Sequence, residues 1–83
     1  MRKRVREGIL IRDENKRYCL HELGVPLERA LTFTSGYSAE IWLNREWIAG
    51  CIEGDGQDYW FFVEGGRRFL LPEHMKARYT ELH

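Results

Sequence analysis

The chain is short of nearly everything that announces an activity. It has two cysteines, two prolines and two methionines among 83 residues, and no apolar run approaches the roughly 20 residues that a membrane helix needs. Cys19 and Cys51 form no CxxC pair, and no signal-like apolar stretch opens the chain. Free thiols in a reducing, cytoplasmic compartment are the expectation. An excess of charge of one sign is lacking too. Thirteen acidic and thirteen basic residues cancel, which argues against a strongly basic nucleic-acid binder and against an acidic mimic of DNA.

Chemistry is equally sparse. His21, His74 and His83 are scattered without a ligand-spaced partner among the cysteines, whereas a zinc site needs convergent ligands. Asp55 and Asp58 bracket Gly56, but so short a run lacks the ligand array of a calcium loop. Gly54 to Gly56 and Gly65-Gly66 are isolated and are explained by turn geometry rather than phosphate binding. Ser35 stands between Thr34 and Gly36 with no histidine and acid at a triad-like spacing. Glu53 is the best-placed carboxylate, and it serves as a general base only if a pocket forms around it. The expectation is a protein that is not an enzyme, with no metal and no cofactor.

What the chain does have is short alternating runs divided by turn residues. At this length residues 1–83 make one domain, which buries roughly 60% of its unfolded surface. Residues 1–6 carry Arg2, Lys3, Arg4 and Arg6 before any acid appears, and read as a solvated, frayed terminus. Strands are expected near 7–12 and 17–22, on either side of the polar cluster Asp13 to Lys16. Residues 24–36 hold Gly24, Pro26 and Gly36 with no clean period; they read as a long irregular connection with room for one helical turn at 27–31, and such loops often carry function. A second hairpin joins 37–43 to 46–53, and a third joins 58–63 to 67–71. The tail from Pro72 fits a helix or a strand equally well. Strands this short and this regularly spaced indicate a small barrel or a strongly bent sheet.

Parity then sorts the aromatics. If Asn44-Arg45 is a two-residue loop, Trp42 lies opposite Trp47 and Ile41 opposite Ile48. One face becomes Tyr37, Ala39, Ile41, Leu43, Ile48, Gly50 and Ile52, apolar as a core requires, with Gly50 allowing a close approach. A four-residue loop at 54–57 pairs Ile52 with Tyr59, adding Tyr59, Phe61 and Val63 to the core. Ile41, Ile48, Ile52, Tyr59 and Phe61 are the expected buried set. Trp42, Trp47, Trp60 and Phe62 share the opposite face, where a cross-strand aromatic pair adds about 0.2–1 kcal/mol to a sheet. Two readings of that patch stay open. Either residues 24–36 or the tail cover it as a second small core, or it is a contact surface.

Leu31, Ser35 and Gly36, the strand Glu40 to Leu43, then Trp47, Ile48 and Glu53 resemble the pattern of domain-of-unknown-function family fifty-three forty-eight, a small bacterial family. The resemblance covers roughly Gly8 to Arg78. It implies an SH3-like barrel in which Pro72 to His74 form a short 3₁₀ turn and Lys76 to Thr80 a closing strand. It carries no activity. The expected fold is therefore mainly β: an SH3-like β-barrel of five to six antiparallel strands with a long irregular loop, 24–36, after the second strand.

The expected function is that of an interaction module, an accessory factor of a bacterium or a mobile element such as a phage inhibitor of a host protein. It docks a protein partner or a second copy through Trp42, Trp47, Trp60 and Phe62. The alternative is a nucleic-acid-binding barrel in which Arg2, Lys3, Arg4, Arg67 and Arg68 contact phosphates while exposed aromatics stack on bases.

Overall fold

A computed structural model describes residues 2–82; His83 lies outside the described residues. Among the described residues eight strands follow one another: β1 (Lys3–Arg12), β2 (Tyr18–Glu22), β3 (Leu31–Thr32), β4 (Tyr37–Leu43), β5 (Glu46–Gly54), β6 (Tyr59–Val63), β7 (Arg68–Leu70) and β8 (Lys76–Leu82), with a single 3₁₀ turn at Leu27–Arg29. They form one sheet in the order β3-β2-β1-β8-β4-β5-β6-β7, antiparallel throughout.

The mainly β class stands, but the sheet is open and eight-stranded rather than a barrel of five to six strands. Two segments account for the difference. The basic N-terminus is not frayed: Lys3 to Ile9 pair with β8 from Leu82 to Lys76. Residues 24–36 are not without structure either, since they hold the 3₁₀ turn, the short strand β3 and the fully buried Phe33. Ten residues of β1 thus carry β2 on one side and β8 on the other, and the last strand joins the first two hairpins.

The sheet curls until its two halves share a core. Leu10, Tyr18 and Leu20 from one half pack with Ile41, Ile52 and Phe61 from the other, around Phe33, Leu71, Ala39 and Ala77. The Tyr18 hydroxyl donates to the Leu71 carbonyl at 2.5 Å, and its ring meets Tyr59 edge-on at 5.5 Å. β1 is also held by charge: Arg6 donates to Glu22 of β2 at 2.8 Å and to Glu81 of β8 at 2.6 Å. The Glu22 and Glu81 carboxylates push its guanidinium pKa further up. Of the expected core set, Ile41, Ile52 and Phe61 are fully buried, whereas Ile48 and Tyr59 pack against the cluster and remain partly exposed.

The hairpin registers decide which side chains face out. Asn44 and Arg45, both at positive φ, are the two-residue loop, and Trp42 pairs with Trp47, Ile41 with Ile48. Across β5 and β6 the pairing is Ile52 with Phe61 and Gly54 with Tyr59, not Ile52 with Tyr59. The loop has the four residues expected but sits one residue later, at 55–58, where Asp55 folds it back: its Oδ1 accepts the backbone N–H groups of Gln57 and Asp58 at 2.8 and 2.7 Å. The slip is two residues, an even number, so every side chain keeps its face. Gly50 is the close approach that parity required, since a Cβ there would strike the Phe62 carbonyl and the Phe61 ring.

Candidate protein-interaction face

The outward face of β8, β4, β5, β6 and β7 carries every aromatic residue that the sequence assigned to it. Trp42 is 37% exposed, while Trp47, Trp60 and Phe62 are half-buried. Neither segment that could have covered this face does so. Residues 31–32 pair with β2 and Phe33 turns into the core, and the tail is β8, a strand within the sheet.

The four rings do not form one patch. Trp42 and Trp47 meet edge-to-face with centroids 5.2 Å apart. Phe62 and Trp60 lie across from Cys51 and Glu53, further along β5. From Trp47 to Cys51 is four residues of strand, about 13 Å. Small side chains, Ser38, Ala49 and Cys51, occupy the ground between, and there the surface sinks into an open groove of about 880 Å³.

Cations lie over both aromatic clusters. The Arg78 guanidinium stands 4.1 Å from the Trp47 ring centre, and donates to Glu40 at 2.8 and 3.2 Å; the hydrogen bond to Glu40 raises its pKa. Lys76 is 5.6 Å from Trp42 and 5.8 Å from Trp47, and 3.6 Å from Glu7 of β1. At the other cluster Arg68 lies 4.4 Å over Trp60 and 5.9 Å from Phe62. Each such contact is worth about 0.5–1 kcal/mol at an exposed site. Trp60 is also pinned at its polar end, where Nε1 donates to Asp55 Oδ2 at 2.9 Å. Those bonds, from the Asp58 backbone, the Trp60 indole and the Gln57 backbone, hold the Asp55 carboxyl at about 2. Leu70, 54% exposed, pairs with Trp60 and extends the apolar surface to the sheet edge.

Sequence reasoning missed Lys76, Arg78 and Glu40. Their signal was present in the alternation of Lys76, Ala77 and Arg78, but the pairing of β8 with β4 spans nearly forty residues and leaves no local mark.

The basic residues of the nucleic-acid reading fall into two groups. Arg2, Lys3 and Arg4 are exposed at the start of β1, and Arg67 and Arg68 lie at the start of β7. Four strands separate β1 from β7, about 24 Å along the sheet. Glu53 stands across from Trp60 on the outer face.

Cys19 is buried beside Asp13 and Thr32, both at 3.7 Å, and burial raises its thiol pKa. Cys51 lies 3.7 Å from Ser38 on the outer face. Neither cysteine is in a disulfide. Among the described residues no three His, Cys, Asp or Glu side chains are grouped to hold a metal ion, and no helix is long and apolar enough to cross a membrane.

The family model described as Domain of unknown function (DUF5348) matches residues 8–79. The chain belongs to this family. Its matched stretch runs from Gly8 in β1 to Tyr79 in β8, and so contains the whole outer face from Trp42 to Arg78 while leaving out Arg2, Lys3 and Arg4. No curated protein and no solved structure matches the chain.

Proposed function

We infer that this chain is a non-enzymatic interaction module whose outer face, formed by β8 and β4 to β7, docks a protein partner or a second copy of itself. One observation carries the reading: Trp42, Trp47, Trp60 and Phe62 share an uncovered sheet face on which Lys76, Arg78 and Arg68 lie across the rings. Trp and Arg dominate the energetic centres of protein interfaces. Arginine stacked on an indole keeps that surface soluble in the free protein and leaves ring edges and guanidinium N–H groups for a partner. A cytoplasmic accessory factor of a bacterium or mobile element is the setting that goes with this reading. The nucleic-acid alternative has less support, because its two basic groups stand at well-separated places on the sheet.

The test is Trp47→Ala, measured by sedimentation and by partner capture at low and high salt. The variant should keep its fold and lose at least about 2 kcal/mol of association, the usual threshold for an interface hot spot. That association should change little with salt, whereas a phosphate-driven complex weakens steeply. Unchanged association together with a large fall in melting temperature would make Trp47 structural.

A further inference from the structure

The ladder between β4 and β8 is short. It joins Glu40 to Arg78 and Ile41 to Ala77 and goes no further, although β8 continues beside β1 as far as Leu82 and β4 runs beside β5 from Tyr37. Beyond Glu40 and Arg78 the two strands part, and the 880 Å³ groove lies in the parting, with Ser38 on one wall, Tyr79 and Thr80 on the other, and Cys51 and Phe62 along its outer side. Side-chain size explains the split. Where the strands pair, the small Ala77 stands opposite Ile41, both fully buried, and Ala39 is the first inner residue past the ladder. Where they part, Tyr37 and Tyr79 stack at 5.4 Å and Phe33 stands edge-on to both, at 5.6 and 6.1 Å. Three rings fill the concave side and wedge the backbones apart.

Backbone direction follows from the hairpin. The two-residue loop is closed by Leu43 and Glu46, so Leu43, Ile41 and Ala39 turn their N–H and C=O groups to β5, while Trp42, Glu40 and Ser38 turn theirs to β8. Arg78, the partner of Glu40, faces β4 in return, and two residues on so does Thr80. At Ser38 and Thr80 these groups enter the groove beyond the end of the ladder, strand edges left to solvent. The charge of the groove is also informative. Its lining holds one cation, Arg78, already committed to Glu40, against two carboxylates, Glu40 and Glu64.

We propose that this cleft takes up an extended segment of a partner polypeptide, neutral or basic in charge, which pairs with the backbone of Ser38 or Thr80 and lays its outward side chains against Phe62. Exposed donors and acceptors in strand register are what strand addition uses, and a lining with more carboxylate than free cation disfavours a phosphate chain. The proposal rests on the reading of the outer face as a protein-binding surface and names the mode and the partner.

The experiment selects random dodecamer peptides displayed on phage against the folded protein, then synthesises the enriched sequences. Binding should fall at least tenfold when alternate peptide nitrogens are N-methylated and hardly change at the intervening ones. It should fall with Ser38→Pro, and the Ser38 and Thr80 amides should exchange more slowly with peptide bound. The N-methyl series alters only the ligand, so it decides the matter even if Ser38→Pro fails to fold. No enriched peptide, a uniform response to N-methylation, or equal binding of a dT dodecamer overturns the proposal. If peptides bind without alternation but lose affinity on Trp47→Ala, the cleft is refuted and the outer-face reading survives; if Trp47→Ala is also without effect, both fall.

Discussion

Gly50 and Ile52, two residues apart on β5, show how closely this small core is specified. A methyl group at Gly50 has nowhere to go between the Phe62 carbonyl and the Phe61 ring, so Gly50→Ala should cost about 1–3 kcal/mol through forced displacement of a packed strand. In a domain of this size each kcal/mol lowers the melting temperature by about 4–8 °C; a melt within a degree of the parent would show that β5 and β6 are further apart than described. Ile52 is fully buried and Ile48 is not. Truncating Ile52 to Ala should therefore cost about 2–5 kcal/mol and truncating Ile48 clearly less, and equal losses in denaturant titrations would contradict this difference in burial. Both positions were legible in the sequence as core by alternation. The difference between them was not, because alternation gives the face and not the depth.

At the scale of elements, the β5–β6 turn depends on one carboxylate. Asp55 holds the loop backbone and the Trp60 indole together, and its pKa of about 2 lies below the unfolded value near 3.9. A depressed carboxyl stabilises the fold fully above the unfolded pKa, and that contribution disappears as the pH falls through the folded one. The Trp60 indole N–H resonance should thus stay unchanged from neutral pH to about 4 and shift with a midpoint near 2, and Asp55→Asn should abolish the transition. A midpoint near 3.9 would mean that Asp55 does not grip the indole. The same loop shows where sequence reading lost its register. Gly54 to Asp58 marked a turn, but the side-chain bonds that set the four-residue loop at 55–58 rather than 54–57 are not visible in a string of turn formers. The β4–β5 hairpin was read correctly because a two-residue loop permits little else. The β8 strand was reached through family resemblance rather than through the period of the tail, but residues 72–74 before it make a bend and not the 3₁₀ turn that the resemblance implied.

For the molecule as a whole, the hairpins were legible and their assembly was not. The contacts that make an open eight-stranded sheet, β1 with β8 and β8 with β4, join residues dozens of positions apart and are set by the shared core, not by local pattern. The outward aromatic face survived that error because parity within each hairpin does not depend on how hairpins are joined. The basic N-terminus, in contrast, became a sheet strand, which puts the cations of the nucleic-acid reading on β1 and at β7, with four strands between. The central claim, that the face bearing the tryptophans binds protein, is tested most directly by a photo-crosslinking residue in place of Trp42 or Leu70 on that face, and in place of Asn15 on the exposed β1–β2 turn, in cells that express the chain. A discrete protein adduct is expected from positions 42 and 70, lost when Trp47 is also changed to Ala, and none from position 15. Equal adducts from all three positions, or adducts to nucleic acid from the outer face, would contradict it.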